Sequence, residues 1–312
     1  MIKGKEEYEG GKMSEKVLIN GYEYTYIKGY RDNENLRDSL NKLTEKTYGF
    51  NFRNWYEEGY WGKEYIPYSL LDDDKLVANV SVNIMKINIL GEEKNYIQIG
   101  TVMTDEKYRN QGLSRFLMEK VLSEWENKCD CIYLFANDTV LDFYPKFGFE
   151  RAYEYQYSIK KNKERSNKKV RKININDNED KVLLENIINN SIQISKLHVK
   201  DNKNLIMFYC LDFLKNNIYY IEKYNTIAIC EYDGEELFIQ DVFMDKEIDL
   251  NIVIDLLMNE DTKIIRLGFT PINIEGYNKE LLNDDNDALY IRSRNESIFN
   301  NKNLMFPILS HV

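Results

Sequence analysis

In the stretch Thr101-Val102-Met103-Thr104-Asp105-Glu106-Lys107-Tyr108-Arg109-Asn110-Gln111-Gly112-Leu113-Ser114, an apolar strand breaks into a basic loop carrying a glycine. The loop opens a helix, because Leu113, Phe116, Leu117, Val121 and Trp125 recur at helical spacing. A strand feeding a glycine loop at a helix start gathers main-chain N–H groups around an anion. Downstream, Cys131-Ile132-Tyr133-Leu134-Phe135 is a nearly continuous apolar strand, as expected when both sheet faces are covered. Strand, crossover helix, strand predicts that it lies parallel to residues 97–103. Adjacent parallel strands can splay at their C-terminal ends, where ligands of open α/β sheets collect. Asn137 and Asp138 then cap a short helix through Tyr144, which Pro145-Lys146-Phe147-Gly148-Phe149 ends.

Upstream, residues 17–28 alternate around tyrosines and suit a first strand, and Asp32 or Asn33 caps a helix carrying Leu36, Leu40 and Leu43. Residues 69–71, 76–89 and 94–103 are strand-like and separated by the turn residues Asp72-Asp73-Asp74-Lys75 and Gly91-Glu92-Glu93. A last alternating strand follows at 153–159. Residues 50–68 are aromatic and acidic, with Trp55, Glu57, Glu58 and Trp61 among them. Two readings stand: rings packed on the sheet, or a wall for a cationic amine acceptor. Core packing is the commoner fate of such rings.

The second half repeats this order. Helices are predicted at 177–190 and 205–215 and strands at 218–224, 226–232 and 237–244. A helix at 250–258 and a strand at 263–269 follow. Gly234-Glu235-Glu236 through Met244 lines up with Gly91-Glu92-Glu93 through Met103, but Asp245-Lys246-Glu247-Ile248-Asp249 has no glycine and is net acidic. The pattern reads as a degenerate internal duplicate. The divisions are a flexible leader (1–16), a first domain (17–160), a basic linker (161–172) and a degenerate second domain (173–312). The apolar tail 304–312 should dock.

Composition narrows the chemistry. A hydrophobic fraction of 43% without a membrane-length apolar run predicts a globular chain that does not enter the membrane. The leader has no apolar segment of a signal peptide. A net charge of −10 argues against nucleic acid as partner. Cys129, Cys131, Cys210 and Cys230 form no zinc motif and suit free thiols in a reducing cytoplasm. With only His198 and His311, most histidine-based nucleophile and metal schemes drop out, and no metal is expected.

Arg109-Asn110-Gln111-Gly112-Leu113-Ser114 resembles the Gln/Arg-x-x-Gly-x-Gly/Ala loop of the GCN5-related N-acetyltransferases (GNAT), with serine in the last small position. Asn137, followed by Phe143-Tyr144-Pro145-Lys146-Phe147-Gly148-Phe149, looks like a later motif of that superfamily. The resemblance covers residues 17–159, and the second half is similar to tandem members in which one copy has lost the loop. It implies a mixed α+β fold: a mostly antiparallel sheet, helices on both faces and a splayed parallel pair, duplicated in the second half. It also implies acetyl-CoA as donor and a primary amine of a small molecule or peptide as acceptor, in a monomer or homodimer.

Carried onto this chain, the resemblance places pyrophosphate on Asn110, Gln111, Gly112, Leu113 and Ser114, with Arg109 adding charge or making a surface ion pair. Pantetheine would run along Val102, Met103 and Thr104, where a main-chain N–H can stabilise the oxyanion. Asn137 would bond the pantetheine amide, cap its helix, or both. Tyr144 would be the general acid toward the CoA thiolate, the alternative being a core tyrosine. Many members carry a glutamate base where Gln98 stands. The substitutes are Glu57, Glu58, Asp138, a water chain, no base at all, or a docked tail bringing the Val312 carboxylate or His311 into the cleft. An acyl-CoA sensor without turnover, a tRNA-dependent aminoacyl transferase and a scaffold are the competing readings.

Overall fold

The computed structural model describes residues 7–9, 12–162, 170–282, 287–293, 299 and 302–312. Two sheets organise them. The first has the order β1-β2-β3-β4-β5-β6-β7-β17-β8, with β11 also paired to β5. Its strands are β1 (Glu7–Glu9), β2 (Lys12–Ile19), β3 (Tyr22–Lys28), β4 (Tyr65–Asp72), β5 (Lys75–Ile89), β6 (Glu92–Thr104), β7 (Cys131–Ala136), β8 (Glu150–Arg151), β11 (Leu197–Lys200) and β17 (Ala288–Ser293). The second has the order β10-β12-β13-β14-β15-β9-β16. It comprises β9 (Glu154–Lys160), β10 (Val170–Lys172), β12 (Ile218–Ile221), β13 (Thr226–Asp233), β14 (Glu236–Met244), β15 (Ile264–Leu267) and β16 (Asn278–Leu282).

Where one strand was expected at 17–28, a hairpin stands. Asn20 and Gly21 take φ of 51° and 88°, the left-handed pair that closes a two-residue turn, so Val17 pairs with Tyr24. Residues 12–16, expected in the leader, belong to β2. Helix α1 (Glu34–Tyr48) is capped by Asn33, whose Oδ1 accepts from the Leu36 N–H at 3.2 Å, and ends at left-handed Gly49. A short α2 (Arg53–Glu57) precedes the antiparallel meander β4–β6. Helix α3 (Leu113–Trp125) then crosses to β7, parallel to β6 as expected. Alternation along β4 feeds both faces: Leu71 joins the cluster that holds Leu40 and Leu43 of α1, and Leu70 joins that of Leu117 and Val121 of α3.

The second half contributes α4 (Asn178–Asn189), α5 (Lys203–Leu211) and α6 (Leu250–Leu257). Its strands β14 and β15 run parallel over Glu236–Ile239 and Ile264–Leu267, as β6 and β7 do over Tyr96–Ile99 and Cys131–Leu134. Most of the basic segment 161–172 lies outside the described residues, but Val170–Lys172 is β10, hydrogen-bonded to β12.

The halves exchange strands. The strand expected to close the first sheet, β9, lies between β15 and β16 of the second. In return β17 fills the place beside β7, with Tyr290 opposite Leu134. Alternation marks a half-buried strand but carries no information on its partner, which packing decides. Between the halves, Phe52, Trp55 and Trp61 interlock with Phe208 of α5.

Candidate active site

The site opens where β6 leaves β7. Ser81 pairs with Gly100 and Asn79 with Met103, so Thr101 and Val102 stand opposite Val80 alone: a bulge on β6. Thr101 takes φ of 48°, costly for a β-branched residue. A buried polar chain holds it there. Asn79 Nδ2 donates to the Thr101 carbonyl at 2.9 Å and to Ser81 Oγ at 2.9 Å, and Ser81 Oγ donates to the Tyr65 hydroxyl at 2.7 Å. The bulge turns β6 away, the parallel pairing stops at Ile99–Leu134, and a cleft of about 1010 Å³ follows.

The basic loop forms one end of this cleft. Asp105 anchors it to Lys75 at 2.7 Å and Lys46 at 3.2 Å, and the Lys75 hydrogen bond is the main cause holding its carboxyl down at about 2. Asn110 and Gly112 are left-handed at φ 62° and 83°. Gly112 is the N-cap of α3 and offers no side chain to its first turn, which leaves the helix N–H groups to a ligand. Ser114 Oγ and Thr104 Oγ1, 2.7 Å apart, tie loop to strand. Arg109, Arg115 and Lys146 line the cleft, and no Asp or Glu does so among the described residues. Among those residues Arg109 makes no ion pair.

Of the proposed donor contacts, Val102, Met103, Thr104, Arg109, Asn110, Gly112, Leu113, Ser114 and Asn137 all face this cleft. Gln111 does not: its Oε1 accepts from the Tyr24 hydroxyl at 2.8 Å and its carbonyl from Asn20 Nδ2 at 2.8 Å, pinning the loop to the β2–β3 hairpin. Asn137 Oδ1 caps the following turn, accepting from the Thr139 N–H at 3.1 Å. Tyr144 begins a 3-10 turn, Tyr144–Phe147, that ends at left-handed Gly148. Its ring meets Phe143 edge-on at 5.3 Å and is 4% exposed, and burial pushes its hydroxyl pKa up, with Tyr48 adding to the rise. No group hydrogen-bonds that hydroxyl among the described residues.

The acceptor wall expected from Trp55, Glu57, Glu58 and Trp61 lies elsewhere. The two indoles sit in the seam between the halves, with Trp55 Nε1 donating to the Asn204 carbonyl at 2.7 Å. Glu58 pairs with Lys181 and Glu57 is exposed, so neither joins the cleft. Tyr48 and Phe50 line it instead, and the Tyr48 hydroxyl donates to the Val102 carbonyl at 2.8 Å. Their position just before and after the helix-ending Gly49 was the available signal. Asp138, another candidate base, also falls outside the lining.

The tail reaches the site. Val312 lines the cleft, and a Cβ on Gly100 would lie 2.7 Å from its main-chain oxygen. Gln98 is fully buried. With its amide oriented to satisfy both neighbours, it donates to the Ser310 carbonyl at 2.8 Å and accepts from the Val312 N–H at 3.1 Å. His311 stacks on Phe135 at 3.6 Å and its Nδ1 lies 3.0 Å from Asp287.

The corresponding gap of the second sheet is closed. The Gly268 N–H donates to the Ile239 carbonyl at 2.7 Å, the Ile308 N–H to the Gly268 carbonyl at 2.8 Å, and a Cβ on Gly268 would meet Ile308 Cγ2 at 2.7 Å. At the start of α6, Asp249 caps the first turn itself, accepting from the Asn251 N–H at 2.9 Å. Among the described residues there is no cluster of three metal-ligating side chains, and no helix is long and apolar enough to cross a membrane.

Residues 33–152 match the family model of an acetyltransferase (GNAT) domain. No curated protein matches the chain. It is similar to a solved structure from Enterococcus faecalis V583, a conserved protein of unknown function described as a probable N-acyltransferase. The TM-score is 0.57 at 15% identity over 86% of this chain and 72% of that one. GCN5-related N-acetyltransferases from Anabaena variabilis (TM-score 0.53, 13% identity, 86% and 73% covered) and Kribbella flavida (0.52, 14%, 86% and 72%) share the fold. The matched segment holds the splayed pair, the basic loop and Tyr144, so the chain carries over residues 33–152 a domain of the GNAT acetyltransferase superfamily, in a mixed α/β fold.

Proposed function

We propose that the first-half cleft transfers an acetyl group from acetyl-CoA to a primary amine of a small molecule or peptide, by direct attack in a ternary complex. The observation that carries this reading is the uncapped start of α3 at Gly112, facing the same cleft as Tyr144. The helix N–H groups and Arg109 receive the pyrophosphate. Val102 to Thr104 offer main-chain groups to the pantetheine arm, and one of their N–H groups polarises the thioester carbonyl. The amine nitrogen bonds to the carbonyl carbon, the carbon–sulfur bond breaks, and Tyr144 donates to the departing sulfur. Its raised pKa keeps the hydroxyl protonated at neutral pH, so it serves as a hydrogen-bond donor that gives up its proton only as the thiolate forms.

With no side-chain carboxylate among the described lining residues, the main-chain oxygen of Val312 is the acceptor that orients the amine against Gly100. The proton shed by the attacking nitrogen passes to solvent water at the cleft, and the Tyr144 hydroxyl is reprotonated from solvent.

The test is CoA release from acetyl-CoA across a panel of amines, with Tyr144→Phe alongside. The expected result is turnover in the parent and a loss in kcat of about 10²-fold or more in the variant, with acetyl-CoA affinity kept. Unchanged turnover in the variant would remove Tyr144 from its role. The missing side-chain base favours a second reading, an acyl-CoA sensor. Tight acetyl-CoA binding with no turnover on any amine would establish it in place of the enzyme.

A further inference from the structure

The C-terminal segment threads both sheets. Phe306 stacks on Tyr133 of β7 at 4.1 Å, Ile308 plugs the gap of the second sheet at Gly268, and Val312 enters the gap of the first at Gly100. Groups from both halves hold the last residues: the Tyr209 hydroxyl of α5 donates to the His311 carbonyl at 2.6 Å, and Gln98 of β6 takes Ser310 and Val312.

We propose that Gln98 is a positioning residue, a clamp that makes the tail of the second half a fixed wall of the first half's cleft. The inference rests on the acyl-transfer reading of that cleft. Two independent observations carry it. A fully buried primary amide must have its oxygen and its nitrogen paired, and here both partners are main-chain groups of the tail, so release of the tail strands the amide. Gly100 has no left-handed φ, so its lack of a side chain serves space and not conformation, and Val312 fills that space. A glutamate at position 98 would face the Ser310 carbonyl with a second acceptor and push the tail away. The residue is thus chosen for the tail, and the second half, its own gap plugged, acts by holding that tail in the neighbouring site.

Four variants test the clamp: Gln98→Leu, Gln98→Glu and Gly100→Ala, and Tyr209→Phe, which loosens the tail from the other side, away from the sheet interior. Each is measured for acetyl-CoA affinity, for kcat and KM on the best amine, and for hydrogen exchange resolved by segment. The expected result is exchange in residues 304–312 faster by roughly tenfold, the rest of the chain unchanged, acetyl-CoA affinity kept, and kcat lower by roughly tenfold or more. Gln98→Glu is decisive between roles. If position 98 merely lacked a base, glutamate would raise the rate; a clamp loses both rate and tail protection. Unchanged tail exchange in Gln98→Leu and Gly100→Ala, or a faster Gln98→Glu enzyme, overturns the proposal. Because exchange is read without turnover, a parent protein inactive on every amine but with the expected tail response would sink the acyl-transfer reading and leave the clamp standing.

Discussion

The two halves build the same gap and use it differently. In each, a parallel pair of strands holds together for four residues, Tyr96–Ile99 with Cys131–Leu134 and Glu236–Ile239 with Ile264–Leu267, and then parts. In the first, Val312 fills the gap only at Gly100, a cleft opens beyond it, and the helix there starts on a left-handed glycine with cations beside it. In the second, Ile308 fills the gap and the helix start is satisfied by its own Asp249. A smaller cavity of about 470 Å³ remains there, with Glu247 and Asp249 in its wall, a poor setting for phosphate. The backbone scaffold survives without the chemistry. What separates the proposed donor site from its duplicate is one uncapped helix turn, the sign of charge around it, and how much of the splay the tail leaves open.

The strongest way to break this comparison is to make the first loop resemble the second. Gly112→Asp places a capping carboxylate over the α3 N–H groups, sets a Cβ at a left-handed position, and crowds Asn20 Nδ2, 3.2 Å from where that Cβ would be. Acetyl-CoA affinity should fall by about 10²-fold, from a lost anion site plus like-charge repulsion. Titration calorimetry with CoA checks it. Affinity within a few-fold of the parent would mean that the helix start does not hold the pyrophosphate.

The proposed donor side was legible because its signals are local. Asn33 three residues before Leu36 and Gly112 at a helix start each follow from neighbours along the chain. The acceptor side was not, because its contacts are distant in sequence. Gln98 meets Ser310 and Val312, and β17 reaches β7 from the other end of the molecule. Nothing near Gln98 announces a clamp; in sequence it reads as an absent base. Likewise Trp55 and Trp61 look the same in sequence as a pocket wall or as a seam, and only Phe208 and the Asn204 carbonyl decide. Asn20-Gly21 was a local signal for a hairpin and would have split residues 17–28 correctly.

A smaller effect sharpens the joint between the halves. Glu154, at the start of the exchanged strand β9, is buried, and its Oε1 accepts from the Phe306 N–H of the tail at 2.6 Å. Burial raises its pKa to about 7 from the ordinary 4.5, with His311 and the Phe306 N–H opposing. The folded chain therefore keeps this proton where the unfolded chain releases it. The contribution to stability is full below about 4.5 and is lost as pH rises to about 7. Glu154→Gln retains an oxygen for Phe306 and removes the slope. The variant should be the more stable above pH 7, by on the order of 1–3 kcal/mol. Denaturant melts of both proteins between pH 4.5 and 8 read the difference, and a gap that does not widen over that range sinks the assignment.

The smallest expected effect asks which barrier would keep CoA out of the second half. Charge and occupancy act together there: Glu247 stands in the cavity wall, and Ile308 sits between the parted strands. Glu247→Lys reverses the charge and leaves the plug and the Asp249 cap in place. If acidity alone excluded the ligand, the variant would bind a second CoA per chain. A helix turn already satisfied by its cap has fewer N–H groups to give, and a filled splay has no main chain free for a pantetheine arm. The expected result is thus one CoA per chain in parent and variant, with turnover equal within error. A second binding event in calorimetry would show that the duplicate is silenced by charge and not by the tail. The tail would then be an element of the first site alone.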